Sequence, residues 1–462
     1  MGKYFGTDGF RGEANVTLTA EQAFSVGRFL GWYCREKKRR AGESSRVRVV
    51  LGKDTRRSGD MLECALLGGL LASGADVDRM GVATTPAVAY ATQQGAYDGG
   101  AMITASHNPY SDNGIKLLNA KGEKIEDEIE ALTEAYLDGG LVAFGQTWDA
   151  LPHATCADIG CVGNAAAAME AYRVHLRACA PASLQGFRIG LDCANGSASV
   201  LAKEIFDTLG ATTYVIHASP DGLNINRDAG STHMEALQRL VVAEGLDVGF
   251  AYDGDADRCL CVDETGAVLS GDSILYMCGR YLHERGALPG NAVVATIMSN
   301  MGLVHSLAEC GISCVQTAVG DKFVYEEMRR GGYALGGEQS GHIVFGSLAT
   351  TGDGILTSLR LCAVMLAMQQ PMSALGAGYR PYPQLLCNLR VCDKISAAQD
   401  ADVCRTVACA NAALGEHGRV VLRVSGTEPV LRLMIEAPDE KACHGYQEQL
   451  LQLLQQKGYL RE

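Results

Sequence analysis

The sequence predicts an α/β protein: three similar sheet domains in series, followed by a small α+β domain at the C-terminus. Three observations carry this reading. Short β-branched runs alternate with longer helical stretches, and that rhythm recurs three times. Polar, glycine-bearing loops follow several of these runs directly. The last stretch changes character, with two strand-like runs and then one helix.

The first unit opens with a strand-like run at Val47–Leu51 that ends in Gly-Lys-Asp. A helix from about Gly59 to Ser73, a strand near Asp78–Val82, a helix near Pro86–Gln94 and a strand at Ala101–Thr104 follow. The rhythm returns at Arg188–Asp192, Ser199–Leu209 and Thr213–Ile216. It returns again at Ala292–Thr296, Leu303–Glu309 and Ser313–Gln316. Asp138–Gly163 is less regular and reads as a junction, and Gly376–Pro383 reads as a linker or a strand lead-in. Strand-like runs at Arg419–Val424 and Val430–Glu436, with a helix at Glu440–Lys457, form the last unit. The expected domains are 1–155, 156–253, 254–370 and 371–462. Arg35–Arg40 (REKKRR) is a basic run on an amphipathic helix and reads as a solvated face.

The chain has 462 residues, 47% of them hydrophobic, which is ample for a core in each domain. Its formal net charge is −13, from 40 basic and 53 acidic side chains, against the usual balance of a nucleic-acid binder. No apolar run is long enough to span a bilayer; Gly68–Ala75 reads as buried helix. The N-terminus lacks the apolar core of a secretory signal. The 17 cysteines are scattered with no Cys-x-x-Cys pair, which suits free thiols in a reducing cytosol. Cys259-Leu-Cys261 alternates like a strand and reads as core packing. A cytoplasmic protein is expected.

Four loops hold the chemistry. Thr104-Ala-Ser-His-Asn-Pro109 turns the chain after a strand, where ligands bind in open α/β sheets. Ser106 there is a nucleophile, a phosphate carrier or a capping serine; no G-x-S-x-G elbow surrounds it. Asp253-Gly-Asp-Ala-Asp-Arg258 follows the apolar run Leu246–Phe250. At ~4 Å and an effective dielectric of ~20, each like pair in such a cluster costs about 4 kcal/mol before relaxation. Asp253, Asp255 and Asp257 therefore belong either in open solvent or around a hard divalent cation. An EF-hand is excluded because Arg258 stands where that loop needs glycine. Gly337-Glu-Gln-Ser-Gly-His342 lets short polar side chains approach sugar hydroxyls, or is a plain glycine-rich turn. Arg423-Val-Ser-Gly-Thr-Glu-Pro-Val-Leu-Arg432 combines two guanidinium forks, two hydroxyls and a glycine turn, the parts of an oxyanion receptor or of a surface turn.

Taken in order, GTDGFRG (Gly6–Gly12), TASHNP (Thr104–Pro109), DGDADR (Asp253–Arg258), GEQSGH (Gly337–His342) and RVSGTEP (Arg423–Pro429) closely resemble the α-D-phosphohexomutase family over nearly the whole chain. Gln339, PDGLNIN (Pro220–Asn226) with GSTH (Gly230–His233), and GKDTRRSGDMLE (Gly52–Glu63) look like its glucosamine branch. Two small departures stand out: Phe10 where Ile is commoner, and Lys322 where Arg is commoner. Lys322 would hold an anion as a point charge, not as a fork.

The resemblance implies three similar α/β domains and a fourth of TATA-binding-protein-like topology around one active-site cleft. It implies a phosphotransferase of the isomerase class that interconverts glucosamine 6-phosphate and glucosamine 1-phosphate, feeding UDP-N-acetylglucosamine and the cell wall. Ser106 would be a phosphoserine that passes its phosphate to the sugar through a hexose 1,6-bisphosphate. Mg²⁺ would be held by Asp253, Asp255, Asp257 and an oxygen on Ser106. Arg11, His107, Lys116 and Arg258 would offset charge; Lys116 or Arg11 would serve as the general base and acid, with His107 assisting. Glu338, Ser340 and His342 would bind the sugar, and Arg423, Ser425, Gly426, Thr427 and Arg432 the non-reacting phosphate. A homodimer is expected, and no nucleic-acid or membrane partner. The rivals are a phosphomannomutase/phosphoglucomutase of the same family and a catalytically silent sugar-phosphate binder.

Overall fold

The structure is a computed structural model that describes residues 2–6, 8–424 and 430–461. The first sheet has seven strands, in spatial order Phe5–Gly6, Gly9–Glu13, Asp112–Asn119, Gly99–Ile103, Arg48–Lys53, Asp76–Val82 and Val162–Asn164. Arg48–Lys53 runs parallel to both its neighbours. Every residue of Gly99–Ile103 is buried, as a central strand of a covered sheet requires. Helix Ala20–Arg40 starts at a capping box in which Thr19 and Gln22 satisfy each other's backbone. It packs extensively on helix Gly59–Ala72, and Gly27 and Gly69 sit where any added Cβ would strike the facing backbone.

The second sheet has the order Thr212–Ile216, Arg188–Asp192, Val248–Tyr252, Cys259–Asp263, Val268–Leu269. The third has the order Ser313–Thr317, Ala292–Thr296, Leu335–Gly337, Ile343–Phe345. The last sheet is antiparallel, Gln384–Arg390, Val430–Glu436, Arg419–Val424, with helices Ala401–Leu414 and Glu440–Gln456. Three α/β sheets in series and a C-terminal α+β unit are therefore the architecture.

By contacts the chain divides into Met1–Ile297 with Val315–Ala377, and Met298–Cys314 with Gly378–Glu462. The second unit has its own core, in which Leu431, Leu433 and Ile435 meet Val403, Leu450 and Leu454.

Three elements depart from the sequence reading. Val162–Asn164 lies inside the expected junction yet adds to the first sheet beside Asp76–Val82. Its side chains are all exposed, so it carries no hydrophobic signal. Asp112–Asn119, to which the sequence reading gives no strand, begins with the turn formers Asp-Asn-Gly yet pairs antiparallel along Gly99–Ile103. The helix expected at Ser199–Leu209 begins as a 3₁₀ turn, Ser197–Val200, before Ala202–Thr208. All 17 cysteines are free, with Cys259 and Cys261 buried in their strand. Arg39 and Arg40 are exposed and pair with Glu36, which is buried on the same helix. Among the described residues no helix is long and apolar enough to cross a membrane.

Candidate active site

The Ser106 loop leaves strand Gly99–Ile103, and the acidic loop leaves strand Val248–Tyr252. Ser106 is 1% exposed and adopts a left-handed backbone (φ 52°), which is uncommon for a residue with a Cβ. Its Oγ donates to Asp253 Oδ2 at 2.5 Å. It caps no helix, so the capping alternative falls away.

Asp253, Asp255 and Asp257 are all buried, which removes the solvated-turn alternative. One oxygen from each lies within 4.8 Å of the others. Lys116, on the strand Asp112–Asn119, donates to Asp255 Oδ2 at 2.7 Å and to Asp257 Oδ2 at 2.8 Å. Thr85 Oγ1 donates to Asp255 Oδ2 as well. Asp255 Oδ1 and Asp257 Oδ1 are buried and have no hydrogen-bond partner among the described residues. Three clustered carboxylates, two of whose oxygens receive no proton from the described residues, fit a divalent cation.

The charges set one another. Burial and then the neighbouring Asp257 and Asp255 push the Asp253 carboxyl well above its ordinary range. For Asp257 burial acts the same way, but Lys116, His342 and Arg258 overcome it and hold the carboxyl well below that range. Burial opposes the Lys116 charge, and Asp255 with Asp257 outweighs it, raising the ammonium above its ordinary value. Asp8 is partly exposed; against the partial burial that would raise it, Arg11, Lys116 and Arg258 bring its carboxyl down to about 2. Arg11 Nη1 lies 3.2 Å from Asp8. Its Nε and Nη2 are buried without hydrogen-bond partners among the described residues.

Arg258 reaches back over the serine loop, Nη1 lying 3.2 Å from His107 Nδ1. Burial, then Arg258 and Arg11, lowers the His107 pKa to about 4, so its ring is neutral at physiological pH. On the third sheet, Gly337 and Ile343 face each other in the register of the hairpin that carries Glu338–His342. Burial raises the Glu338 carboxyl, which accepts from Gly320 N at 3.1 Å. Ser340 Oγ is buried with no hydrogen-bond partner among the described residues. His342 feels two opposed pulls. Burial disfavours its charge, yet Asp257, 3.8 Å from Nδ1, drives its pKa up to about 9. Gly352 N–H, however, donates to Nε2 at 2.9 Å and needs that nitrogen unprotonated. The shorter contact sets the tautomer, with the proton on Nδ1 facing Asp257.

A cavity of about 290 Å³ opens here, lined by Asp8, Lys116, Asp257, Asp321, Lys322 and His342. Lys322 is paired with Asp127. Sequence reasoning missed Asp8, Thr85 and Asp321. Asp8 lay in the quoted GTDGFRG motif and was the one findable signal.

In the C-terminal unit, Arg423 and Arg432 stand directly opposite across the antiparallel ladder. Like charges so placed repel. Burial and then Arg432 lower the Arg423 pKa, and Arg423 Nε is buried without a hydrogen-bond partner among the described residues. An anion at this pair would relieve the repulsion. Ser425, Gly426 and Thr427 lie outside the described residues.

The four domain profiles of the phosphoglucomutase/phosphomannomutase family match in order: α/β/α domain I over 2–140, domain II over 170–266, domain III over 270–382 and the C-terminal domain over 386–453. The chain is 53% identical over 459 residues to a phosphoglucosamine mutase of Lachnospira eligens, covering 99% of this chain and 100% of that one. It is 51% identical over 461 residues to a phosphoglucosamine mutase of Lachnoclostridium phytofermentans, covering 100% of both. A crystal structure of a phosphoglucomutase/phosphomannomutase family protein from Burkholderia thailandensis superposes with a TM-score of 0.78 at 25% identity, over 98% of this chain and 96% of that one. The fold is also that of an Aspergillus fumigatus N-acetylphosphoglucosamine mutase solved with GlcNAc-6P and magnesium (TM-score 0.68, 18% identity, 98% of this chain and 96% of that one).

Proposed function

Because the chain belongs to the phosphoglucomutase/phosphomannomutase family, we propose that it works as a phosphoglucosamine mutase, an isomerase interconverting glucosamine 6-phosphate and glucosamine 1-phosphate. The single observation that carries the mechanism is Ser106: a buried serine in a left-handed turn, its Oγ 2.5 Å from one member of a buried aspartate triad. A plain serine needs no such setting. A phosphoryl carrier does, because transfer is chiefly positioning and charge stabilisation.

In this reading Ser106 rests as phosphoserine. The free hydroxyl of the bound sugar phosphate attacks phosphorus as the bond to Ser106 Oγ breaks. A 1,6-bisphosphate forms, turns round and returns its other phosphate to Ser106. Asp253, Asp255 and Asp257, with an oxygen on Ser106, would hold Mg²⁺, which when bound spreads the charge of the transferring group. Arg11 and Arg258 hold positive charge near the reacting phosphate, and two of Arg11's donors have no partner among the described residues. The hydroxyl's proton passes to a basic group of the set His107, Lys116 and Arg11. His107 is the one held neutral at physiological pH. Lys116, an ammonium on Asp255 and Asp257, returns a proton to the leaving oxygen. Glu338, Ser340 and His342 take the sugar. Arg423, Ser425, Gly426, Thr427 and Arg432 grip the distal phosphate. The hexose 1,6-bisphosphate as activator, a homodimer and a cytoplasmic setting belong to the same proposal.

The test is a side-by-side mutase assay with Mg²⁺ and catalytic hexose 1,6-bisphosphate. The expected result is a large preference for glucosamine 6-phosphate over glucose 1-phosphate, abolished in Ser106→Ala. A preference for the glucose phosphate would keep the mechanism and refute the substrate. Full activity in Ser106→Ala would refute the carrier.

A further inference from the structure

Two stretches distant in sequence, GKDTRRSGDMLE (Gly52–Glu63) and PDGLNIN (Pro220–Asn226), converge on the backbone of the serine loop. Arg56 and Asp54 are fully buried as side chains. Arg56 Nε donates to Asp54 Oδ2 at 2.8 Å, and Arg56 N donates to Asp54 Oδ1 at 2.9 Å. The guanidinium then spends its remaining donors on carbonyls of the loop. Nη2 donates to Ser106 O and Asn108 O, both at 2.8 Å. Nη1 donates to Asp112 O at 3.0 Å and to Pro109 O. From the second sheet's domain, Asn226 Nδ2 donates to Ser106 O at 2.7 Å and Asn108 O at 3.0 Å. The two stretches also interlock, since Arg57 N donates to Gly222 O at 2.9 Å.

On the other side of the serine, Ser106 N donates to Thr104 Oγ1 at 2.9 Å, and Thr104 Oγ1 donates to Asp54 Oδ2 at 2.7 Å. This closes a ring: Ser106 N to Thr104, Thr104 to Asp54, Asp54 to Arg56, Arg56 to Ser106 O. The carbonyl of Ser106 has two acceptor sites, and Arg56 and Asn226 give it two donors. A bidentate, charged fork that ties four carbonyls is more than a turn needs for stability, because turns of this kind ordinarily sit at the surface and bond to water. The left-handed backbone of Ser106 disfavours an L-residue, and it persists only where the surroundings over-determine it.

We propose that Arg56 and Asn226 are positioning residues for phosphoryl transfer: they hold the Ser106 backbone in its left-handed turn and so aim Oγ at the phosphate path. Both side chains are buried and donate to backbone carbonyls of the serine loop. Thr104 and Asp54 complete the ring. Asn226 also makes the carrier's placement depend on the domain that supplies the aspartate triad, so carrier and triad are held in common register. The inference rests on Ser106 being the carrier, and an error of about 1 Å in such a group lowers transfer by about 100-fold.

The experiment loads Ser106 with phosphate from glucose 1,6-bisphosphate and follows its loss to glucosamine 6-phosphate by rapid-quench intact mass. The proteins are wild type, Asn226→Ala, Thr104→Val and Arg56→Lys. Expected is a single-turnover rate about 10- to 100-fold lower in Asn226→Ala and Thr104→Val, with KM within about twofold and Tm close to wild type. Arg56→Lys, which keeps the charge but not the fork, should show the same kcat-selected loss. Two chemically different variants guard against one that fails to fold. Wild-type transfer rates in folded Asn226→Ala and Thr104→Val would overturn the proposal, as would a loss confined to KM. If wild-type protein itself neither takes nor gives phosphate at Ser106, the carrier assignment fails, and the positioning role falls with it.

Discussion

Replacing Lys116 by methionine keeps the length of the side chain and removes its charge. The ammonium sits 2.7 Å from Asp255 and 2.8 Å from Asp257, 12% exposed, against carboxylates that are 0% and 7% exposed. At an effective dielectric of ~20, each contact is worth about 6 kcal/mol of gross attraction. Desolvation of the three groups offsets most of it. What remains on deleting one partner is the cost of uncompensated buried charge, about 3–5 kcal/mol. Lys116→Met without divalent cation should lose about that much stability, read from denaturant midpoints. Added Mg²⁺ should restore more stability in the variant than in wild type, because the triad then lacks its internal counter-charge. Mutase turnover should fall by about 10²–10⁴-fold, the usual contribution of a positioned proton carrier. An unchanged midpoint would refute the counter-ion reasoning. Equal Mg²⁺ stabilisation of both proteins would refute the shared-site reasoning. Turnover within about tenfold of wild type would remove Lys116 as a proton carrier.

Other perturbations separate the remaining parts. Gly341 has φ 91°, and a Cβ there would strike Cys259 O; Gly341→Ala should cost about 1–3 kcal/mol in urea unfolding and raise KM by displacing Glu338, and a neutral result would detach the loop's shape from sugar binding. Arg423→Ala removes half of a like-charged pair, so stability should hold or rise while KM for the sugar phosphate rises roughly 10- to 100-fold; an unchanged KM would end its role as a phosphate grip. His217 Nδ1 bonds Asp192 at 2.9 Å, and that hydrogen bond raises the imidazole pKa. A raised folded pKa adds stability that is complete below the ordinary value of about 6.5 and is lost as pH rises through the folded value. Unfolding midpoints followed upward from that value should therefore fall more steeply in wild type than in His217→Gln, and parallel curves would sink this.

How much was legible from the residues differs by scale. Strands such as Arg188–Asp192 and Ala292–Thr296 match residue for residue, because a short β-branched run between turn formers is a local signal. Asp112–Asn119 was not legible: its opening Asp-Asn-Gly reads as a turn, and only pairing along Gly99–Ile103 makes it a strand. The aspartate loop could be read as a set of hard ligands, since three carboxylates at alternate positions need a cation or water. Whether it was buried could not, because burial is set by what packs on it.

The sequence by itself determined most of the strands and helices and the placing of polar loops at strand ends, since these signals are local. The tertiary structure alone decided the pairings. Ser106 meets Asp253 across 147 positions, Lys116 meets Asp255 across 139, and Arg56 meets the carbonyl of Ser106 across 50. Such contacts follow from strand order and sheet register, which no local pattern encodes. They turn a serine, a lysine and three aspartates into one site because burial strengthens each charge on the next.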